Sequence, residues 1–234
     1  MDLQKKTAVY IDGYNLYYGR LRGTAFKWLD LPALFDALLT VQDPSSVVGA
    51  VKFFTAPALG RFATHGQTSV EAQNSYHRAL ELRHPERFSI KLGNHSMDPD
   101  GSLMPLFVPG QRYDRAVQAR VWRIEEKMTD VNLAMAMYRD ACRGHFDQLV
   151  LCSNDSDAEP VLEALREDFP QLTLGLVTPV HPPADGGAPR RFSISLARHA
   201  HWTRKYLLDA ELAAAQLPSV VPTRKKPIRK PAHW

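Results

Sequence analysis

Short apolar runs rich in β-branched residues alternate with segments of helical length, and this alternation constrains the fold more than any other feature of the chain. The first apolar run is TAVYIDG at residues 7–13, and the fourth is FDQLVLCSN at residues 146–154. Such alternation is typical of a mostly parallel sheet with helices on both faces. We therefore predict an α/β fold with three layers, α/β/α, around a central, mostly parallel sheet of about five strands.

Four further segments complete the predicted organisation. Residues 115–144 are interpreted as one long helix, and residues 195–212 as a last helix that packs back on the sheet. Residues 97–114 and 177–193 are rich in proline and glycine, so they are interpreted as loops, the first with a short hairpin as the alternative. One α/β domain then covers residues 1–210.

The remaining segment, residues 211–234, is predicted to be a disordered, basic, proline-rich tail. From residue 218 onward it contains five basic residues and no acidic residue, so the formal net charge of +4 arises largely here. Such a segment buries too little apolar surface to fold alone, and basic tails attract phosphate backbones without sequence preference. A plain solubilising terminus is the alternative. The basic residues are Arg224, Lys225, Lys226, Arg229 and Lys230.

The chain has no apolar run near the 18 or so residues that a membrane helix needs, and the N-terminal residues MDLQKK do not resemble a signal peptide. Its two cysteines, Cys142 and Cys152, fall in a predicted helix end and a predicted buried strand. This placement is typical of reduced structural thiols rather than of a disulfide framework or a zinc site. We predict a cytoplasmic protein that does not bind a membrane.

Three carboxylates follow predicted strands at the point where each strand ends. Asp12 follows the first strand, and Asp155 and Asp157 follow the fourth. The carboxyl ends of parallel strands are where ligands bind in open α/β sheets. Asp and Asn also cap helices and form turns, but the five polar residues at 153–157 exceed what one cap requires. Clustered carboxylates repel one another unless a cation offsets their charge, so this pattern favours a divalent metal ion.

A fourth carboxylate, Asp130, stands at the head of an amphipathic helical stretch. The spacing of Leu133, Ala134 and Met137 keeps the apolar residues on one face of that helix. An N-cap or a solvated surface charge is the alternative interpretation of Asp130, and spacing alone favours that alternative.

Three motifs occur in a characteristic order: YIDGYN at residues 10–15, KMTDVNLAM at 127–135 and LCSNDSD at 151–157. In this order and at these separations they resemble the NYN domain family, which comprises PIN-like ribonuclease domains, and in particular its bacterial LabA-like or DUF88 branch. The resemblance spans about residues 7 to 180, and its specificity lies in the three motifs.

The resemblance implies roles for individual residues. The metal-binding and catalytic acids of the NYN family match Asp12, Asp130, Asp155 and Asp157 of this chain. Supporting positions of the family match Asn15, Lys127, Ser153 and Asn154. This chain departs from the family at Asn154, where glycine is usual, and at Ala136, where another acid is frequent.

The activity that the resemblance implies is that of a metal-dependent ribonuclease. Mg²⁺ or Mn²⁺ held by the carboxylates would activate a water and stabilise the charge of an in-line displacement at phosphorus. RNA is then the expected partner, with tyrosines available to stack on bases and arginines and lysines to contact phosphates. The predicted contacts are Tyr14, Arg190, Arg191, Arg224, Lys225 and Lys226, and the further candidates are Tyr17, Tyr18, Arg20, Arg22, Arg112 and Arg115. Packing of the tyrosines against the helix after the first strand and plain solvated charge on the arginines are the alternatives, and they are favoured for any single residue.

Other interpretations stay open. Ala136 and Asn154 support a catalytically impaired NYN-fold module that binds RNA or a protein and regulates without cutting. A Toprim-type domain or a haloacid-dehalogenase phosphatase fits poorly, since the latter requires a second Asp at position 14, where the chain has Tyr14. The sequence also leaves open a homodimer and an unidentified protein regulator.

Overall fold

The structure, a computed structural model, describes residues 4–183 and 192–234. The strands are, in chain order, β1 (Lys5–Asp12), β2 (Ser46–Thr55), β3 (Phe88–Leu92), β4 (Asn94–Met97), β5 (Ser102–Pro105), β6 (Gln118–Val121), β7 (Ile124–Lys127), β8 (Gln148–Cys152), β9 (Thr173–Val177), β10 (Trp202–Arg204), β11 (Val220–Val221) and β12 (Ile228–Arg229). The helices are α1 (Gly13–Leu16), α2 (Leu31–Gln42), α3 (Gln67–Arg83), α4 (Thr129–Arg143), α5 (Glu159–Asp168), α6 (Ile194–Ala197) and α7 (Asp209–Ala214).

Six parallel strands form the central sheet, in the order β10-β9-β8-β1-β2-β3. The chain builds one half of the sheet outward from β1 and then returns to β8 and builds the other half. The strand order therefore reverses between β1 and β8, which is where ligands bind in sheets of this type. The predicted α/β fold is confirmed, and the sheet has a sixth strand, β10, within the segment that the sequence pattern assigned to a last helix.

Strand β1 lies at the centre of the molecule because both of its faces are apolar. Val9 and Ile11 face one core, which α2, α3 and α7 cover. Ala8 and Tyr10 face the other core, which α4, α5 and α6 cover. Alternate residues of a strand point to opposite faces, so a run that is apolar throughout requires a layer on each side.

The long helix predicted over residues 115–144 is wrong in its first half. Helix α4 begins at Thr129, and β6 and β7 occupy the preceding residues. Strand β7 pairs antiparallel with β4, and β6 pairs antiparallel with β5. Together these four strands form an arm, residues 94–127, that leaves the sheet after β3. The helical spacing of residues 115–128 was overridden by pairing with a distant segment, which local periodicity does not report.

The segment from residue 211, which composition predicts to be a disordered tail, packs against the domain. Strands β11 and β12 form a small hairpin whose Val221 and Ile228 are buried. The Trp234 ring lies edge-on to Trp28, with 6.1 Å between ring centroids, and to Tyr76 at 5.5 Å. A few well-placed apolar residues hold this segment, although its overall composition is polar.

Among residues 4–183 and 192–234, no helix is long and apolar enough to cross a membrane.

Replacing Trp234 with alanine is expected to destabilise the protein by about 2 kcal/mol, because the ring's contacts with Trp28 and Tyr76 are lost. The measurement is the free energy of unfolding in urea. Arg224→Ala, in the exposed turn of the same segment, serves as the control and should leave stability unchanged. Equal stability of Trp234→Ala and the wild type would show that the segment does not pack in solution.

Candidate functional site at the carboxyl edge of the sheet

Asp12 ends β1 and caps α1, and its carboxylate is buried, with 3% of the residue exposed. One carboxylate oxygen accepts a hydrogen bond from the Asn15 backbone N–H at 2.9 Å. The other accepts from the Asn15 side-chain amide at 2.8 Å and from Ser153 Oγ at 2.9 Å. Burial raises the pKa of Asp12, while these three donors act in the opposite direction.

The residues after β8 face Asp12 across the strand-order reversal. Ser153 Oγ accepts from the Asp155 backbone N–H at 3.1 Å, and Asp155 in turn caps a short 3-10 turn by accepting from the Asp157 N–H at 3.2 Å. The Asn15 amide lies 3.5 Å from Asp155 Oδ2. Asn15 therefore stands between two of the predicted catalytic acids and donates to both.

Asp130 approaches the same edge from the head of α4. Met128, just before the helix, adopts the left-handed conformation with φ of 79°, and the chain reverses there from β7 into α4. Loss of hydration raises the pKa of Asp130 to about 6, and the charges of Asp12, Asp155, Glu126 and Asp157 add to that rise. Asp130 therefore lies near enough to the other three predicted acids for their charges to act on it.

The supporting residues divide between the site and its surroundings. Asn154 belongs to the site, since its backbone N–H donates to Asn15 Oδ1 at 3.3 Å and its side chain accepts from the Ser193 N–H at 2.7 Å. Lys127 is instead half exposed on β7 and forms an ion pair with Glu125 of the same strand.

The predicted RNA contacts are spread over the molecule. Tyr14 lies at the site, on α1. Arg224, Lys225 and Lys226 lie in the exposed turn between β11 and β12. Arg190 and Arg191 lie outside the described residues. RNA as a partner, a homodimer and a protein regulator all stay predictions.

The structure adds two residues to the site that sequence reasoning missed. His95 of β4 lies within 2.8 Å of the Tyr14 hydroxyl, so the base of the arm touches α1. Glu126, its cross-strand partner on β7, accepts from the Thr129 backbone N–H at 3.2 Å and also from the Thr129 hydroxyl. Both residues reach the site through the pairing of β4 with β7, and their sequence neighbourhood carries no signal of that pairing.

Fold and site together define an α/β protein with a doubly wound parallel sheet and an acidic, partly aromatic site at its strand-order reversal.

No family model matches the sequence. The chain is 36% identical over 245 aligned residues to the 6-hydroxy-3-succinoylpyridine 3-monooxygenase HspA of Pseudomonas putida (strain DSM 28022 / S16), with 98% of this chain and 75% of that protein covered. It also resembles the crystal structure of a Vibrio parahaemolyticus RIMD 2210633 protein of unknown function, with a TM-score of 0.50, 18% identity, and 89% of this chain and 96% of that chain covered.

The chain belongs to the family of the 6-hydroxy-3-succinoylpyridine 3-monooxygenase HspA. The predictions of a ribonuclease and of a hydrolytic enzyme are therefore wrong, because the relative is named for oxidative chemistry. The likeness to the Vibrio protein concerns the fold alone.

The prediction of Mg²⁺ or Mn²⁺ as cofactor is wrong for the same reason, and the geometry of Asp12 agrees. Three protein donors already engage its carboxylate, so it acts as a helix cap and as a link between strands. Among the described residues, no group of three or more His, Cys, Asp or Glu side chains is arranged to hold a metal ion.

Oxygenases commonly rely on a flavin or another redox cofactor. The described residues of this edge do not fit the pyrophosphate of a dinucleotide. A phosphate-binding turn needs glycines that let the ligand approach the backbone, whereas Gly13 is packed against protein. A Cβ atom there would lie 2.8 Å from the Phe53 ring and from the Phe54 carbonyl oxygen. The neighbouring carboxylates of Asp12 and Asp155 would also repel an anion.

Asp12→Ala is expected to lower the free energy of unfolding by about 2 kcal/mol or more, because it removes a helix cap and leaves the Asn15 amide and Ser153 hydroxyl without their acceptor. Asp12→Asn, which keeps one acceptor oxygen, should lose less. Urea unfolding with and without EDTA separates this role from metal binding. A loss of wild-type stability in EDTA would contradict the capping role as the full account of Asp12.

The pKa of Asp130 is expected to fall below its value of about 6 when Asp155 is replaced with asparagine, since one of the negative charges that raise it disappears. Side-chain carboxyl ¹³C shifts in an NMR titration measure this pKa directly. Asp168→Asn, which removes a carboxylate that pairs with Tyr138 elsewhere, is the matched control. An unchanged Asp130 titration in Asp155→Asn would show that the charge of Asp155 does not act on Asp130.

Proposed function

We propose that this protein is a monooxygenase that oxidises a hydroxylated, pyridine-type aromatic compound. The observation that carries the proposal is 36% identity, over nearly the whole chain, to a protein named as a monooxygenase of 6-hydroxy-3-succinoylpyridine. In such a reaction one atom of dioxygen enters the organic product and the other leaves as water. The two electrons required come from a two-electron donor of the reduced nicotinamide or reduced flavin class, and the two protons come from that donor and from solvent.

The sheet edge between β1 and β8 is the proposed place of substrate binding. It lies at the strand-order reversal, and it combines hydrogen-bonding groups with exposed aromatic rings. Tyr14 and His95 offer a hydroxyl and an imidazole joined at 2.8 Å, and Asp130 offers an accessible carboxylate at the head of α4. These groups would orient a polar, flat ring and accept a hydrogen bond from its hydroxyl group.

Kinship with NYN domains, in fold and not in activity, is a second proposal. It is supported by the order of the three motifs, whose acids Asp12, Asp130 and Asp155 come from three separate elements to one sheet edge. On this proposal the chain shares the arrangement of these acids with NYN domains, while its own activity is oxidative.

The function is tested by incubating the purified protein with 6-hydroxy-3-succinoylpyridine, reduced nicotinamide cofactor and ¹⁸O₂, with and without added flavin. Mass spectrometry should find one ¹⁸O atom in the ring-containing product, with oxygen and reductant consumed in equal amounts. Label that enters from H₂¹⁸O instead, or the absence of product with folded protein, would overturn the proposal.

Asp155→Asn should lower kcat at least tenfold if this edge is the site, since it removes a charge and keeps the shape of the side chain. Asp168→Asn, on the far end of α5, should have the wild-type rate. Equal rates for wild type and Asp155→Asn would place the reaction elsewhere on the molecule.

A further inference from the structure

Three side chains spaced four residues apart extend from the site along the segment that follows β1. They are Tyr14 on α1, Tyr18 in the π-helical segment Tyr17–Leu21, and Arg22 at its end. Residues four apart on a helical segment share a face, so the three form a continuous surface, which we call the tyrosine ridge.

The contacts within the tyrosine ridge hold its rings in place. The Tyr14 and Tyr18 rings are stacked, with centroids 5.8 Å apart and planes inclined at 28°. Tyr17 packs edge-on against Tyr18 at 5.0 Å. At the inner end, the Tyr14 hydroxyl contacts His95, and at the outer end the Arg22 guanidinium lies 5.5 Å from the Tyr18 ring centroid.

Tyr18 nevertheless leaves 54% of its surface exposed. The exposed part of an aromatic ring that its neighbours hold in place can contact another ring at little cost in conformational entropy. Offset or edge-on packing against another flat ring is the contact that such a surface favours.

The two ends of the ridge differ in charge. Tyr14 directly follows the acidic edge, beside Asp12 and Glu126. Arg22 is exposed and forms no ion pair with any residue in the described part of the chain. A ligand with a carboxylate at one end would be repelled at the inner end and attracted at the outer one.

We propose that the tyrosine ridge is the substrate-binding surface and determines specificity for aromatic compounds that carry a carboxylate-terminated side chain. The aromatic ring of the substrate packs against the exposed part of the Tyr18 ring, its carboxylate pairs with Arg22, and its ring hydroxyl points toward Tyr14 and the acidic edge. The inference rests on the proposed function, because it assigns the parts of that substrate class to this surface.

The test compares Arg22→Gln with wild type on 6-hydroxy-3-succinoylpyridine and on the methyl ester of the same compound. For the acid, KM should rise about tenfold in Arg22→Gln while kcat stays the same, because the variant loses one charge-assisted pair in binding. For the ester, the two proteins should have the same KM. Arg78→Gln, at an exposed arginine of α3, is the matched control and should behave as wild type on both compounds.

Tyr18 is tested in parallel. Tyr18→Phe keeps the flat face and should keep the wild-type KM, whereas Tyr18→Leu should raise KM for acid and ester alike. Equal KM values for wild type and Arg22→Gln on the acid, or a wild-type KM in Tyr18→Leu, would overturn the ridge as the binding surface.

Binding without turnover separates this inference from the proposed function. Calorimetric titration of 6-hydroxy-3-succinoylpyridine into the protein, without reductant, requires no oxidation. Binding that weakens in Arg22→Gln, in a protein that produces no oxygenated product, would support the ridge and overturn the function. Product formation with unchanged affinity in Arg22→Gln would support the function and overturn the ridge. If the protein neither bound the compound nor formed product, both proposals would be overturned.

Discussion

The hydrogen bonds of the Asp12 carboxylate connect the two halves of the sheet at the point where their strand order reverses. Asp12 ends β1, accepts from Asn15 at the start of α1, and accepts from Ser153 at the end of β8. Because the carboxylate is buried, removing any of these donors would leave a charge with too few partners. The positions of Asn15, Asp155 and the tyrosine ridge all depend on this junction.

The same junction explains why the acids of this edge suggest a metal site in the sequence. Acidic side chains at the ends of two neighbouring strands are typical of Mg²⁺ binding. Here, however, amide and hydroxyl donors from Asn15 and Ser153 stabilise the carboxylate of Asp12, and Asp155 caps its own turn. The chain belongs to the family of a protein named as a monooxygenase, and this relationship supports our proposal that the chemistry at this edge is oxidative.

The structure also relates the arm to the site. The arm leaves the sheet after β3 and returns through β7 into α4, so it delivers His95, Glu126 and Asp130 to the edge that β1 and β8 form. A tightly packed glycine lies at its base. A Cβ atom at Gly93 would lie 2.5 Å from Glu126 Oε1 and from Thr129 Oγ1, so glycine is required there for β3 and α4 to approach. The arm therefore contributes His95 and Glu126 to the site.

Local sequence alone determined the α/β class, the strands β1 and β8, and the convergence of Asp12 and Asp155, since hydrophobic periodicity and strand-end polarity are local signals. Only the tertiary structure decided that residues 118–127 pair as strands and that β10 joins the sheet. It alone also decided that Trp234 packs on Trp28 and that Asn15 lies between two acids. Each of these depends on contacts between distant segments, whose free energy outweighs local conformational preference. The sequence pattern at the sheet edge did not determine the chemistry. Carboxylates there serve as metal ligands, caps or substrate contacts according to the donors that the fold places around them.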